Sequence, residues 1–233
     1  MLSDSDEENV SIPPFRLTKP TLLENFIFGD GRGIHVVNID LVPTTDFHFK
    51  SLSKGAKKIC EHENSAGGNS EISEAFSFEI FARWKKARLD KTEKELFNLL
   101  KPDPILDYVF IINNIKVGVS VTRAIKFLKW CPNKFSGQVT EKDAKALLEK
   151  KLNSISASCQ KNTGLNIRLW EKQILHVWVR NEETAGIVFR VAKQLLNDHT
   201  YNTLVVISKA EGANFIFSNN FNHLQDWYVH TIS

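Results

Sequence analysis

Residues 107 to 124 read DYVFIINNIKVGVSVTRA, two apolar runs folded on an Asn113-Asn114 turn, with Asp107 entering the first run. Successive side chains of a strand point to opposite faces. Val117, Val119 and Val121 therefore share one face, and Lys116, Gly118, Ser120 and Thr122 share the other. The valine face is expected to meet a core and the second to be polar or partly covered. This hairpin decides the fold, because its neighbours on both sides must be built around it.

Downstream, Pro132 and Gly137 mark a loop, and Thr140 with Asp143 forms a variant of the capping box. Ala144, Leu147, Leu148, Leu152 and Ile155 then repeat at helical spacing, predicting a long helix from about Glu141 to Lys161. ILHVWVRN (174–181) alternates as a strand, and EETAGIVFRVAKQLL carries acids in its first turn and Lys193 near its end, as a helix does. TLVVISKA (203–210) reads as a buried strand, with NFIFSNN expected to pair with it after a Glu211-Gly212 turn. Upstream, Ser73 is a plausible N-cap, and Phe76, Ile80, Trp84 and Ala87 predict a helix through about Leu89. A second helical stretch follows from Thr92, with Leu96, Leu99 and Leu100 apolar, ended by Pro102 and Pro104. This order predicts an α/β fold, a mixed central sheet flanked by helices on both faces.

The remainder divides into an acidic tail (1–14), a strand-containing N-terminal extension (15–50) and a flexible linker (51–72) ahead of the α/β domain (73–233). The tail has too little apolar surface to order itself, and Ser3 and Ser5 precede acids as kinase acceptors do. KGAKK and HENSAGGNSE give the linker its polar character. Gly29 to Gly33, between TLLENFIF and IHVVNIDLVP, suggests a hairpin or strand-loop-strand. It is no phosphate loop, since Ile34-His35-Val36-Val37 continues as a strand where a nucleotide fingerprint needs a helix.

The 233 residues, 42% hydrophobic and 24% charged, suit a globular protein with a full core. A net charge of +3 permits nucleic-acid contact without predicting it. Cys60, Cys131 and Cys159 are widely spaced, with no metal-binding pattern, and the acidic N-terminus resembles no secretory signal. Reduced thiols in a cytoplasmic or nuclear protein, away from membranes, are expected.

The element order and the hairpin together resemble the PD-(D/E)XK, or restriction-endonuclease-like, superfamily over roughly residues 73 to 210. That core opens with a helix, presents a hairpin carrying the catalytic acids, and crosses by a long helix to another strand. The resemblance implies carboxylates converging on a divalent metal, with a lysine to position water or stabilise charge. Asp107 matches the first aspartate, with Asp103 of Pro102-Asp103 as a rival. Ser120 falls where the family has Asp or Glu, and Thr122 where it has Lys; neither hydroxyl supplies the charge. The resemblance thus implies a catalytically degenerate nuclease fold, serving as a binding or assembly module for a protein or nucleic-acid partner and needing no cofactor.

Two alternatives stay open. An active nuclease with relocated residues would use Asp107, Glu79 on the opening helix and Lys116 on the hairpin, with Mg or Mn. A regulatory or trafficking adaptor unrelated to nucleases would use the aromatic C-terminus FNHLQDWYVHTIS. Plainer roles exist for each residue: Glu79 with Arg83 as an i, i+4 pair, Asp107 as a turn former, Lys116 as a solvated hairpin lysine. The densest basic stretch (82–94) offers Arg83, Lys85, Lys86 and Arg88 to phosphates, against the common reading of a solvated helix face. His176 reads as a satisfied, partly buried histidine and Cys159 as a small core residue.

Overall fold

The computed structural model describes residues 9–12, 15–18, 21–29, 35–41, 51–62, 70–100, 106–128, 131–135, 138–164, 168–195, 203–210 and 213–217. In chain order these hold β1 (Asn9–Ile12), β2 (Phe15–Thr18), α1 (Thr21–Phe28), β3 (His35–Leu41), α2 (Lys54–His62), α3 (Glu71–Lys85), β4 (Arg88–Thr92) and α4 (Glu93–Leu100). Then follow β5 (Tyr108–Ile112), β6 (Ile115–Arg123), β7 (Phe127–Leu128), β8 (Cys131–Phe135), α5 (Glu141–Thr163), β9 (Lys172–Val179), α6 (Glu182–Leu195) and β10 (Thr203–Ala210). Six strands form one mixed sheet in the order β3-β10-β9-β6-β5-β4. β4, β5 and β6 are an antiparallel meander; β6, β9 and β10 run parallel because α5 and α6 cross over between them, and β3, from earlier in the chain, lies parallel to β10.

The β5–β6 hairpin lies inside this sheet, between β4 and β9. Its turn works because Asn113 and Asn114 both take positive φ, 47° and 64°, the pair of left-handed residues that matches the twist of two-residue hairpins. Alternation sorts the side chains as expected. Val117, Val119 and Val121 join the core under α3 with Tyr108, Phe110, Ile174 and Trp178. Val109, Leu175, Val177, Val205 and Ile207 face the opposite way, into a second core closed by α5 and α6. α5 starts with the expected capping box, Thr140 and Asp143 each satisfying the other's backbone N–H. Asn162 ties its far end to the entry of β9, donating to the Trp170 carbonyl at 2.7 Å and accepting from Leu169 N–H at 2.6 Å.

α3 is the most enclosed helix. Every residue from Glu71 to Phe81 is buried, so it has no solvent face along that length and its polar groups need partners inside the protein. Ser77 Oγ contacts Tyr108 OH at 2.7 Å and His176 Nδ1 at 2.6 Å, and Ser73 Oγ donates to the Ser70 carbonyl at 2.7 Å. The Ser73 carbonyl in turn accepts from Trp178 Nε1 at 3.0 Å.

Several expectations need correction. Residues 51–62, expected as flexible linker, contain α2, and Ile59 and Cys60 on it are fully buried beside α3. The polar composition misled because a short helix needs only one apolar stripe, here Ala56, Ile59 and Cys60. TLLENFIF is the helix α1 rather than a strand. β3, placed in a separate extension, is a strand of the main sheet, hydrogen-bonded to β10. The helix expected through Leu89 ends at Lys85; Lys86 turns left-handed at φ 54°, and a charged edge strand, β4, follows. The Pro132 loop carries the antiparallel pair β7–β8. Asn214–Phe217 is a 3-10 turn whose Ile216 and Phe217 pack in the α3 core, and it does not pair with β10. Ser3, Ser5, Asp103 and the aromatic C-terminus lie outside the described residues. Among those described, no helix is long and apolar enough to cross a membrane.

Candidate functional site

Asp107 sits just before β5 and is buried. Its backbone N–H donates to the Val119 carbonyl at 2.9 Å, and its Oδ2 accepts the Val121 N–H. Desolvation pushes its carboxyl above the ordinary carboxylate pKa; the Lys151 ammonium on α5, the Val121 N–H and the Ser120 hydroxyl pull the other way. The carboxylate is therefore an acceptor inside the hairpin, serving the strand opposite.

The face it shares is covered. Ser120 is buried and hydrogen-bonded to Asp107, and Thr122 is half-buried. At Gly118 a Cβ would overlap the Leu106 side chain and meet the Trp170 ring at 3.1 Å, so only glycine lets these two groups close over the strand. Expectation allowed a polar or partly covered face, and the structure gives a packed one.

The other two relocated candidates stand elsewhere. Glu79 is fully buried, accepting Ser53 N–H at 2.8 Å and Arg83 Nε–H at 2.6 Å, so it fastens the start of α2 to α3. The expected i, i+4 pair is present, but facing inward. Lys116 lies at the turn end of the hairpin, pairing with Asp90 at 3.0 Å, roughly 13 Å along the strand from the Asp107 end. Asp107, Glu79 and Lys116 do not form one site.

The structure gathers different acids around Asp107. One carboxylate oxygen from each of Glu74, Glu93 and Asp107 lies within 4.8 Å of the others, Glu74 and Asp107 being buried and Glu93 half-buried. Oxygen donors of this kind suit hard divalent cations such as Mg or Mn. Cations of the chain already balance part of this charge. Lys151 acts on Asp107, and Arg123 interacts with Glu74 and Glu71, which oppose the effect of burial in lowering its pKa. Tyr108 is pushed well above the usual phenol value by burial, and further by Asp107 and Glu74. In the sequence Glu74 is visible only as an acid of a helix's first turn, and Glu93 as part of a charge run. The missing signal was β4, which brings Glu93 alongside the start of β5.

The basic quartet does not act as one surface. Arg83 is spent on Glu79 and on the Ser51 carbonyl at 2.5 Å, and Lys85 on Glu24. Lys86 and Arg88 are exposed, one at the helix cap and one at the start of β4. His176 is fully buried, Nε2 at 2.7 Å from Ser208 Oγ as well as Nδ1 on Ser77; burial lowers its pKa from 6.5 to about 3. It is a neutral core histidine. Cys159 is half-buried rather than core, and it and Cys60 are free thiols.

No family model matches the chain, and no solved structure does. The chain is similar to the AAC-rich mRNA clone AAC4 protein of Dictyostelium discoideum, 36% identical over 173 residues. These residues are 74% of this chain and 24% of the relative, so the match spans about a quarter of that longer protein.

Proposed function

We propose that this chain is a restriction-endonuclease-like domain whose catalytic hairpin has become structural, and that it works as a binding or assembly module for a protein or nucleic-acid partner. The succession of α3, the β5–β6 hairpin inside the sheet, the long α5 and the parallel strand β9 supports the resemblance. One observation carries the degenerate reading. Asp107, at the position of the family's first aspartate, bonds Val121 N–H and Ser120, on a face closed by Leu106 and Trp170. A neutral hydroxyl at Ser120 and another at Thr122 leave the strand without the second acid and the cation that the chemistry needs. Occurrence of a similar stretch within a much longer relative suits a module.

The test is cleavage. The full chain, incubated with single- and double-stranded DNA and RNA in Mg or Mn, is expected to leave every substrate intact. Cleavage that Asp107→Ala abolishes would sink the proposal.

A second reading, a metal-dependent hydrolase, is favoured by the Glu74, Glu93 and Asp107 carboxylates, which replace the expected Glu79 and Lys116. It requires a cation at the three carboxylates in spite of Arg123 and Lys151. Mn titration by calorimetry decides it: saturable binding lost in Glu93→Gln supports the second reading, and no heat removes it.

A further inference from the structure

A cavity of about 360 Å³ opens between the start of α2 and the start of β4, within the size range of small-molecule sites. It lies at the end of β4 remote from Glu93, and no part of it involves the hairpin acid. Its apolar wall is Phe78, Ala87 and Leu89, and its polar side chains are Ser53, Lys54, Lys58 and Arg88. No carboxylate lines it.

The three cations are not equivalent. Lys58 is held by Glu95 at 2.8 Å. Lys54 and Arg88 are exposed and have no ion-pair partner among the described residues. Two positive charges therefore face the opening, beside the N-terminus of α2, where the Ser53 hydroxyl already accepts the Ala56 N–H at 3.3 Å. Gly55 keeps this turn against the wall, since a Cβ there would run into the Phe78 ring.

We propose that this cavity binds a phosphate monoester carried on a planar apolar group, the chemistry of a nucleoside monophosphate. A phosphate monoester brings about −1.5 to −2 charge at neutral pH, matching Lys54 and Arg88, where a monocarboxylate would leave one cation unmatched. Arg88 supplies the forked donors that grip phosphate oxygens, and the half-buried Leu89 side chain receives the ring at the mouth of the cavity, whose floor is the buried Phe78. The same group occurs on a free nucleotide and at the 5′ end of a strand.

Calorimetric titration of the full chain with adenosine 5′-monophosphate tests this, with adenosine and inorganic phosphate as separate ligands. Expected is saturable binding of the monophosphate, tighter than either fragment, weakened about tenfold or more by Lys54→Ala and by Arg88→Ala as charge-assisted bonds are lost. Lys145→Ala, on the far side of the sheet, should bind like the unaltered chain. Both lining residues are exposed, so melting temperatures of the variants should stay unchanged. Competition by a 5′-phosphorylated oligonucleotide, but not by its 5′-hydroxyl counterpart, would assign the phosphate to a strand end; failure of both to compete would assign it to free nucleotides. The proposal is overturned if the monophosphate does not bind, if adenosine binds as tightly, or if both cavity variants retain full affinity.

Discussion

Ser77 Oγ and His176 Nδ1, 99 positions apart, lie 2.6 Å from each other at the centre of the protein. This contact joins the buried helix α3 to the central strand β9, and Tyr108 and Ser208 extend it on either side. Tyr108, Ser77, His176 and Ser208 each find a partner inside the core, where an unpaired polar group would cost about 1 to 3 kcal/mol. His176→Leu is accordingly expected to destabilise the fold by about 2 kcal/mol or more, read as a lower midpoint in urea, because Ser77 and Ser208 each lose a partner.

The same histidine sets a pH dependence. Its folded pKa is about 3 against an ordinary 6.5, so between these values the unfolded chain takes up a proton that the folded one refuses. Stability attributable to His176 is thus complete above about pH 6.5 and falls as pH drops toward 3, by up to about 1.4 kcal/mol per pH unit. Asp107 acts in the opposite sense: its raised folded pKa makes the folded state take up the proton first, which stabilises it as pH falls through that pKa. In His176→Gln the loss of stability between about pH 6 and about pH 4 should be shallower than in the unaltered chain. Equal slopes would contradict the assignment.

Gly118→Ala should lower stability by about 1 to 3 kcal/mol, the usual cost of forcing a methyl into a packed core. Leu106→Ala makes room for that methyl, so the double variant should lose less than the sum of the two single losses. Strict additivity would mean that Leu106 does not close the strand.

Glu79→Gln removes the charge that holds Ser53 N–H and Arg83, with an expected loss of about 1.5 to 3 kcal/mol. Hydrogen exchange should quicken first in α2, where the Ser53 contact anchors the helix. Lys116→Ala, breaking a partly exposed pair with Asp90, should cost no more than about 1 kcal/mol. Comparable losses in the two would contradict the placement of Glu79 as an internal fastener.

The hairpin, α5 and the strands β9 and β10 were legible in the sequence because local signals and tertiary role agree there. Alternating valines, a Thr140–Asp143 cap and an Asn-Asn turn each need little beyond their neighbours. α2 and β4 were not legible for the converse reason. RLDKT is a charged edge strand held by one neighbour, β5, and α2 owes its order to burial against α3. With β4 hidden, Glu93 could not be placed beside Asp107, and the resemblance favoured Glu79, near the apolar stripe of the opening helix, over Glu74 in its first turn. Strand alternation put Ser120 and Thr122 on the right face; that Leu106 and Trp170 close it depends on contacts made by separate elements.

On the proposed reading, Asp107 is an internal acceptor of the hairpin and not a ligand for a catalytic cation. Carboxyl-selective NMR of the Asp107 side chain, titrated with pH and then with Mn, tests it most directly. The expected result is a carboxyl that titrates above the ordinary range and keeps its linewidth when Mn is added. A carboxyl titrating below that range and broadened by Mn at stoichiometric concentration would contradict it.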